Sequence, residues 1–425
     1  MKSRTLTLIS FITLFTAMAI PVRLLGQLNY IATDLGSLGG SFSAPNTINN
    51  RGQIAGSSNL EGDVVGHAFF WEGGKMTDLG TLGGPISVGA GINNSGEVVV
   101  GADTPLFGGL QNTMCATTAI CRMFVWRKGV RVVPDLGTLE GGTDTAIYDL
   151  LSFGQGTSFN NNRHQVIGQA DIPITDPNNP PFAISRAFLW DRGLMTDLGV
   201  LGDGHNVSAS AINDESQVVG DSEFTSGPDP VLNFPPFHAF LWDKGAMTDL
   251  QAFPGAKLSI ALGISNAGQV VGLSTVPGDV DFHTAAWSNG TVTDLGTFPG
   301  DSLSVANAVN QRGRIVGASG GSTTMRAMLW ENGAGIDLNT RIPASSGWQL
   351  LYAIDINARG QITGWGIHNN PNGISAFLLT PTNNKIDSPG QSARTITGTV
   401  LERKGITLRQ LFRHRLAERL CTKNQ

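Results

Sequence analysis

Charged side chains make up only 14% of this 425-residue chain, and there are three cysteines. So little charge leaves few solvated helix faces, and together with 55 glycines it points to a chain of strands and turns. The hydrophobic fraction of 40% still supplies a core, which excludes a disordered chain. Beyond the first residues no apolar run reaches membrane-span length. Gly-x-Ser-x-Gly occurs only as Gly317-Ala318-Ser319-Gly320-Gly321, inside a phrase repeated in other units, and His-Glu-x-x-His and phosphate-cradling signatures are missing, so no local catalytic motif announces itself. Paired carboxylates that meet only in space stay open. A basic face is missing too. The first 27 residues carry +3 and residues 401–425 carry +5, so a total of -5 leaves -13 on the body, which argues against a nucleic-acid partner.

What is there begins with an export signal. Lys2 and Arg4 precede the apolar run Leu6 to Ile20, too short to span a membrane comfortably. Cleavage is expected after Ala17-Met18-Ala19 or after Gly26, with an uncleaved anchor as the alternative. The mature chain is therefore expected outside the cytoplasm, extracellular or periplasmic. Cys115 and Cys121 bracket five residues and are expected to form a local disulfide, stabilising by roughly 2 kcal/mol at most. No further ligand follows at metal-site spacing, and Cys421 is left over in the tail.

The dominant signal is a repeat. Asp-Leu recurs at Asp34, Asp78, Asp135, Asp197, Asp249, Asp294 and Asp337, at intervals of 44, 57, 62, 52, 45 and 43. Each interval also holds an Ile-Asn-x-x-Gly-Gln-Val-Val-Gly-like phrase and a His/Arg-Ala-Phe-Leu-Trp-like phrase, so one supersecondary unit is repeated. Residues 211–250 read as four short antiparallel strands. The Asn-x-x-Gly turns are expected to use both residues for positive φ, with the glycine leading into a bulge. Ser216 and His164 replace that glycine and Ser265 replaces the Asn, so those turns should be strained or reshaped.

Units of this length stack radially, and the ends complete each other. Tyr30 to Leu35 is a fourth strand without a third, and Ala376 to Leu379 is a third without a fourth. The expected fold is all-β, a seven-bladed β-propeller of four-stranded blades over 28–380, closed by pairing of its N- and C-terminal strands. Residues 1–27 form the signal and 381–425 a linker and tail.

The phrases Thr77-Asp78-Leu79-Gly80-Thr81-Leu82-Gly83-Gly84, Gly91-Ile92-Asn93-Asn94-Ser95-Gly96-Glu97-Val98-Val99 and His67-Ala68-Phe69-Phe70-Trp71 resemble the extracellular HAF-repeat family. That resemblance implies exported, propeller-like bacterial repeat proteins and carries no catalytic residue or substrate. The C-terminal sorting signal of some exported repeat proteins is lacking here.

His67, His238 and His283 share a repeat position with Arg122, Arg186, Arg326 and Ser375, and a general base is not exchanged for Arg. The expected role is a donor to the repeated Asp or to a backbone carbonyl. The Asp series then braces each blade, with a cation-binding ring of carboxylates as the sharper alternative. Trp71, Trp126, Trp190, Trp242, Trp287 and Trp330 read as inter-blade core, or as sugar-stacking platforms if exposed.

Units two, three and four have long connections between second and third strands, Gly101 to Arg122, Gly168 to Arg186 and Gly220 to His238. They are expected to cluster on one face and to present Phe107, Leu110, Phe182, Phe224 and Phe237 as a binding surface, or else to cap the blade ends. In the tail, Leu408, Leu411, Phe412, Leu416 and Leu420 alternate with Arg409, Arg413, Arg415 and Arg419 as a basic amphipathic helix. It suits an anionic membrane surface, a partner, or no defined role. The sequence thus predicts a monomeric exported scaffold without metal or cofactor, binding a protein or glycan. The alternative is a secreted carbohydrate-active hydrolase or lyase with carboxylates near the channel.

Overall fold

The computed structural model describes residues 28–107, 119–146, 158–178, 183–321, 324–369, 373–384 and 388–391. Seven four-stranded antiparallel sheets are arranged as a ring. The fourth blade is typical, with strands Val207–Ile212, Val218–Glu223, Phe237–Asp243 and Ala246–Asp249. Its first strand reads Val-Ser-Ala-Ser-Ala-Ile and is buried throughout, because it lines the hub and touches both neighbouring blades. Fourth strands of four residues form the rim and are largely exposed.

Ring closure is as the sequence predicts. Strand Asn29–Asp34 pairs with Ser375–Thr382, in register from Asn29 opposite Thr382 to Asp34 opposite Phe377, and completes the seventh blade. Tyr30 (1% exposed) and Leu35 (4%) are buried there, and burial pushes the Tyr30 hydroxyl up to about 12. The linker does not leave at once, since Ser388 and Gly390 bond to Ala344 and Ile342.

Third and fourth strands are joined by two-residue turns such as Lys128-Gly129, Lys244-Gly245 and Asn332-Gly333, both residues at positive φ, the geometry that matches strand twist. First strands carry a bulge at the same place in six blades, for example between Pro45 and Thr47, Ala209 and Ala211, and Ala306 and Ala308. The expected bulge after the turn glycine is therefore misplaced; it lies one strand earlier, where the inner strand bends around the hub. In the third blade the paired first strand among the described residues is Thr145–Ala146.

Each meander places first-to-second and third-to-fourth turns on one face of the disc. Second-to-third connections and the Asp-Leu segments fall on the other. Among the described residues no helix is long and apolar enough to cross a membrane.

Candidate functional site

The Asp of every repeat accepts the backbone N–H two residues on, at 2.6 to 2.9 Å, from Gly36, Gly80, Gly137, Gly199, Gln251, Gly296 and Asn339. Most of these positions have positive φ, which explains the glycine of the phrase. Its second partner is the His/Arg of the third strand. His67, His238 and His283 meet Asp78, Asp249 and Asp294 through Nδ1 at 2.9 to 3.0 Å. Arg122 stands 3.6 Å from Asp135 and Arg326 3.3 Å from Asp337. In the closing blade, where Ser375 occupies the position, His368 of the second strand reaches Asp34 at 2.8 Å. The third blade differs, because among the described residues Arg186 Nε and Nη1 are buried without a partner. Each aspartate sits at the end of a rim strand, so the seven carboxylates surround the disc rather than converge on a cation.

Trp71, Trp126, Trp242, Trp287 and Trp330 are buried, and Trp126 packs on Phe70 of the preceding blade. Trp190 alone is half-buried.

At the hub the turn asparagines do something the sequence reading missed. None of them adopts positive φ; only the glycine does, with His164 and Ser216 held at φ +65 in its place. The Asn instead bonds across blades. Asn49 Nδ2 donates to the carbonyl of Asn93 (2.9 Å), Asn93 to Asn161 (3.2 Å), Asn161 to Asn213 (3.0 Å) and Asn213 to Ser265 (3.1 Å). Asn310 donates to Asn357 (3.2 Å) and Asn357 to Asn49 (3.0 Å). The circle breaks only where Ser265 has no amide to offer Asn310. We expect Ser265→Asn to close it and raise stability by about 1 kcal/mol, read as a higher urea midpoint; an unchanged midpoint would deny the ring a stabilising role.

These asparagines rim a cavity of about 160 Å³ at the mouth of the central channel, underlain by Ile48, Ile92, Ile212, Ile264, Val309 and Ile356, with Asn160 in the third blade. Asp214 and Asp355 also line it. Both are committed: Asp214 accepts from Asn162 and Asn266, and Asp355 from Ile48, Thr47 and Ile356. Burial pushes the Asp355 carboxyl up, against those hydrogen bonds.

The boundary between blades two and three collects departures from the repeat. Glu97 replaces the usual Gln, His164 the usual Gly, and Asn160 the usual Ile or Val. Glu97 accepts from His164 Nδ1 (2.6 Å), Asn93 (2.8 Å) and Arg127 (3.3 Å). Burial pushes its carboxyl up, but these donors outweigh burial and hold it below the ordinary range. A depressed folded value stabilises above the unfolded value and is lost as pH falls through the folded one. Glu97→Gln should therefore flatten the loss of stability on acidification below about pH 4.5, checked by urea midpoints at pH 7 and pH 3.5. An equally steep loss in the variant would remove Glu97 from that titration. Asn160 Oδ1 is buried without a partner, a cost of about 1–3 kcal/mol.

On the opposite face, exposed large apolar residues stand at the second-to-third connections of five consecutive blades: Val64, Leu106, Ile174, Phe224 with Val231, and Val280. The loops of blades three and four touch, Asn178 Nδ2 donating to the Ser226 carbonyl at 3.0 Å. Phe224 is 39% exposed and lies on His238 with ring centres 5.0 Å apart.

Phe237 corrects the sequence expectation. It is 1% exposed and packs with Phe234, Leu258 and Phe282 in the core, because it already belongs to the third strand. Part of the fourth blade's loop is thus a cap, with Lys257 Nζ pinning Asp229 at 2.8 Å. Leu110, Phe182, Cys115, residues 1–27, where an export signal is expected, and the expected tail helix lie outside the described residues, as does the Phe107 side chain. Cys121 is disulfide-bonded. Among the described residues no three His, Cys, Asp or Glu gather as metal ligands. Asp171 and Asp176 are occupied with Thr143, Asp144, Asn178 and Asn206.

No protein-family model and no curated protein matches this chain. Among solved structures it is similar to the β-propeller domain of the Trilobed protease from Pyrococcus furiosus, at 7% identity and TM-score 0.47 over 82% of this chain and 97% of that one. It is also similar to TolB from Acinetobacter baumannii, at 11% identity and TM-score 0.40 over 80% of this chain and 65% of that one. A Mycobacterium tuberculosis puromycin-hydrolyzing peptidase matches at 11% identity and TM-score 0.47, over 84% of this chain and 55% of that one. The chain thus spans less than two thirds of the last two proteins, and identities this low carry no chemistry across.

Proposed function

We propose that this chain is an exported binding or structural scaffold at the cell exterior, and that the loop face of its consecutive blades holds a protein partner. One observation carries the reading: exposed aliphatic residues recur at the same connection of blades one to five, including the long loops of blades two to four. Apolar groups repeated at equivalent loop positions on one face are a recognition feature, and aliphatic side chains suit a protein surface better than a sugar ring, which prefers exposed aromatics. The repeated His, Arg, Asp and Asn positions support it too, since most are spent on internal hydrogen bonds. The other reading, a hydrolase or lyase, requires two close carboxylates near the channel. Asp214 and Asp355 stand three blades apart with their oxygens engaged.

Immobilised protein from residue 28 onward should capture a saturable protein ligand from cell-surface fractions and give no hit on a glycan array. A glycan hit without protein capture would move the ligand class to carbohydrate, and the absence of both would defeat the reading.

A further inference from the structure

We infer that the boundary between blades two and three holds a second binding site, for a small monocyclic aromatic molecule bearing one hydrogen-bond donor. It lies on the face opposite the loops and does not depend on the recognition surface. A cavity of about 130 Å³ opens there, walled mainly by Val125, Val133, Val166 and Trp190. That volume is close to the roughly 150 Å³ in which a dry apolar cavity accommodates benzene.

Three features make it a built site rather than a packing gap. First, in the second blade alone the rim strand is bulged, the register slipping between Val125 opposite Val133 and Trp126 opposite Arg131, which turns Val132 into the wall. Other rim strands pair without a slip. Second, Trp190 is the one tryptophan of its series that is not fully covered, and it faces this cavity. Third, His164 lines the cavity at a φ of +65, where five of the other six blades have glycine. Backbone conformations that side chains resist are kept where something depends on them.

His164 also sets the ligand's chemistry. Its Nδ1 faces Glu97 Oε2 at 2.6 Å, and in the neutral imidazole that donates there Nε2 is left as an acceptor. An O–H or N–H donor on an otherwise apolar ring satisfies that nitrogen, while the ring fills the space between the valines and the indole.

The test titrates the full chain with p-cresol and with p-xylene, which matches it in shape but has no donor, by calorimetry and ligand-observed NMR. The expected result is saturable binding of p-cresol at least tenfold tighter than p-xylene. His164→Gly gives up the hydrogen bond to Glu97 but restores the repeat glycine and relieves the backbone, so it should still fold and should lose that preference. Val133→Phe should fill the cavity and abolish both. Failure of p-cresol to saturate, equal affinities in the native chain, or a preference that survives His164→Gly overturns the inference.

Discussion

Deleting Leu28 to Gly36 should convert a monodisperse protein into one that aggregates or melts many degrees lower. The deletion removes the rim strand of the closing blade, whose six residues pair with Ser375–Thr382. Tyr30 and Leu35 go with it, each buried almost completely, and Leu35 by itself is worth about 1.5–3 kcal/mol by burial. Against a total margin of about 5–15 kcal/mol that loss is a large fraction. The effect is also qualitative: Phe377, Leu378 and Leu379 then lie on an open sheet edge, and an unpaired apolar edge invites another chain. Size-exclusion chromatography and a melting curve check it. A monomer with an unchanged midpoint would show that the ring does not rely on this strand.

Replacing Leu106, Ile174, Phe224 and Val231 together by Ser should leave the fold untouched and weaken capture of the protein partner at least 100-fold, about 2.7 kcal/mol. Leu106, Ile174 and Val231 are more than half exposed, so their truncation costs within about 0.5 kcal/mol each, and only Phe224, 39% exposed and stacked on His238, costs more. Interfaces concentrate their energy in a few apolar anchors, so losing four at once removes the core of the contact. Structure refines this design. Cutting out the whole of 221–237 would take Phe234 and Phe237 from the core and Asp229 from Lys257, confusing unfolding with loss of recognition. Surface plasmon resonance against the captured partner reads the result. Undiminished binding by a variant that melts normally would discard the loop face as the recognition surface.

Fold was legible because the repeat is long-range evidence written locally. Seven Asp-Leu phrases and two half-units fix both blade number and closure, independent of any single propensity. The Asp pairing with His or Arg was legible too, since residues that substitute for each other across blades share a hydrogen-bonding role. What escaped was anything that depends on which blade lies beside which. The amide of Asn49 spends itself on the next blade, 44 residues away, and nothing in a local turn pattern says so. A clue was present in the regularity of the amide itself, for Ser or Asp would serve a turn equally well. Phe237 was misread for a different reason: loop ends and strand starts differ by one or two residues, and one residue reverses the face of a strand. The cavity beside Trp190 was invisible because Glu97, Asn160 and His164 look like minor drift until two blades bring them together.

Pairing of Asn29 with Thr382 brings the two ends of the propeller within one strand spacing of each other, on a single sheet. The point of the ring at which the chain begins is therefore nearly arbitrary for the finished disc. A circularly permuted chain, with those ends joined by a short linker and new ends cut at a glycine turn such as Gly73-Gly74 or Lys244-Gly245, would draw on the same contacts. It would also place its ends on a different blade, so the blade at which the chain enters and leaves the disc can be chosen without redesigning anything that holds it together.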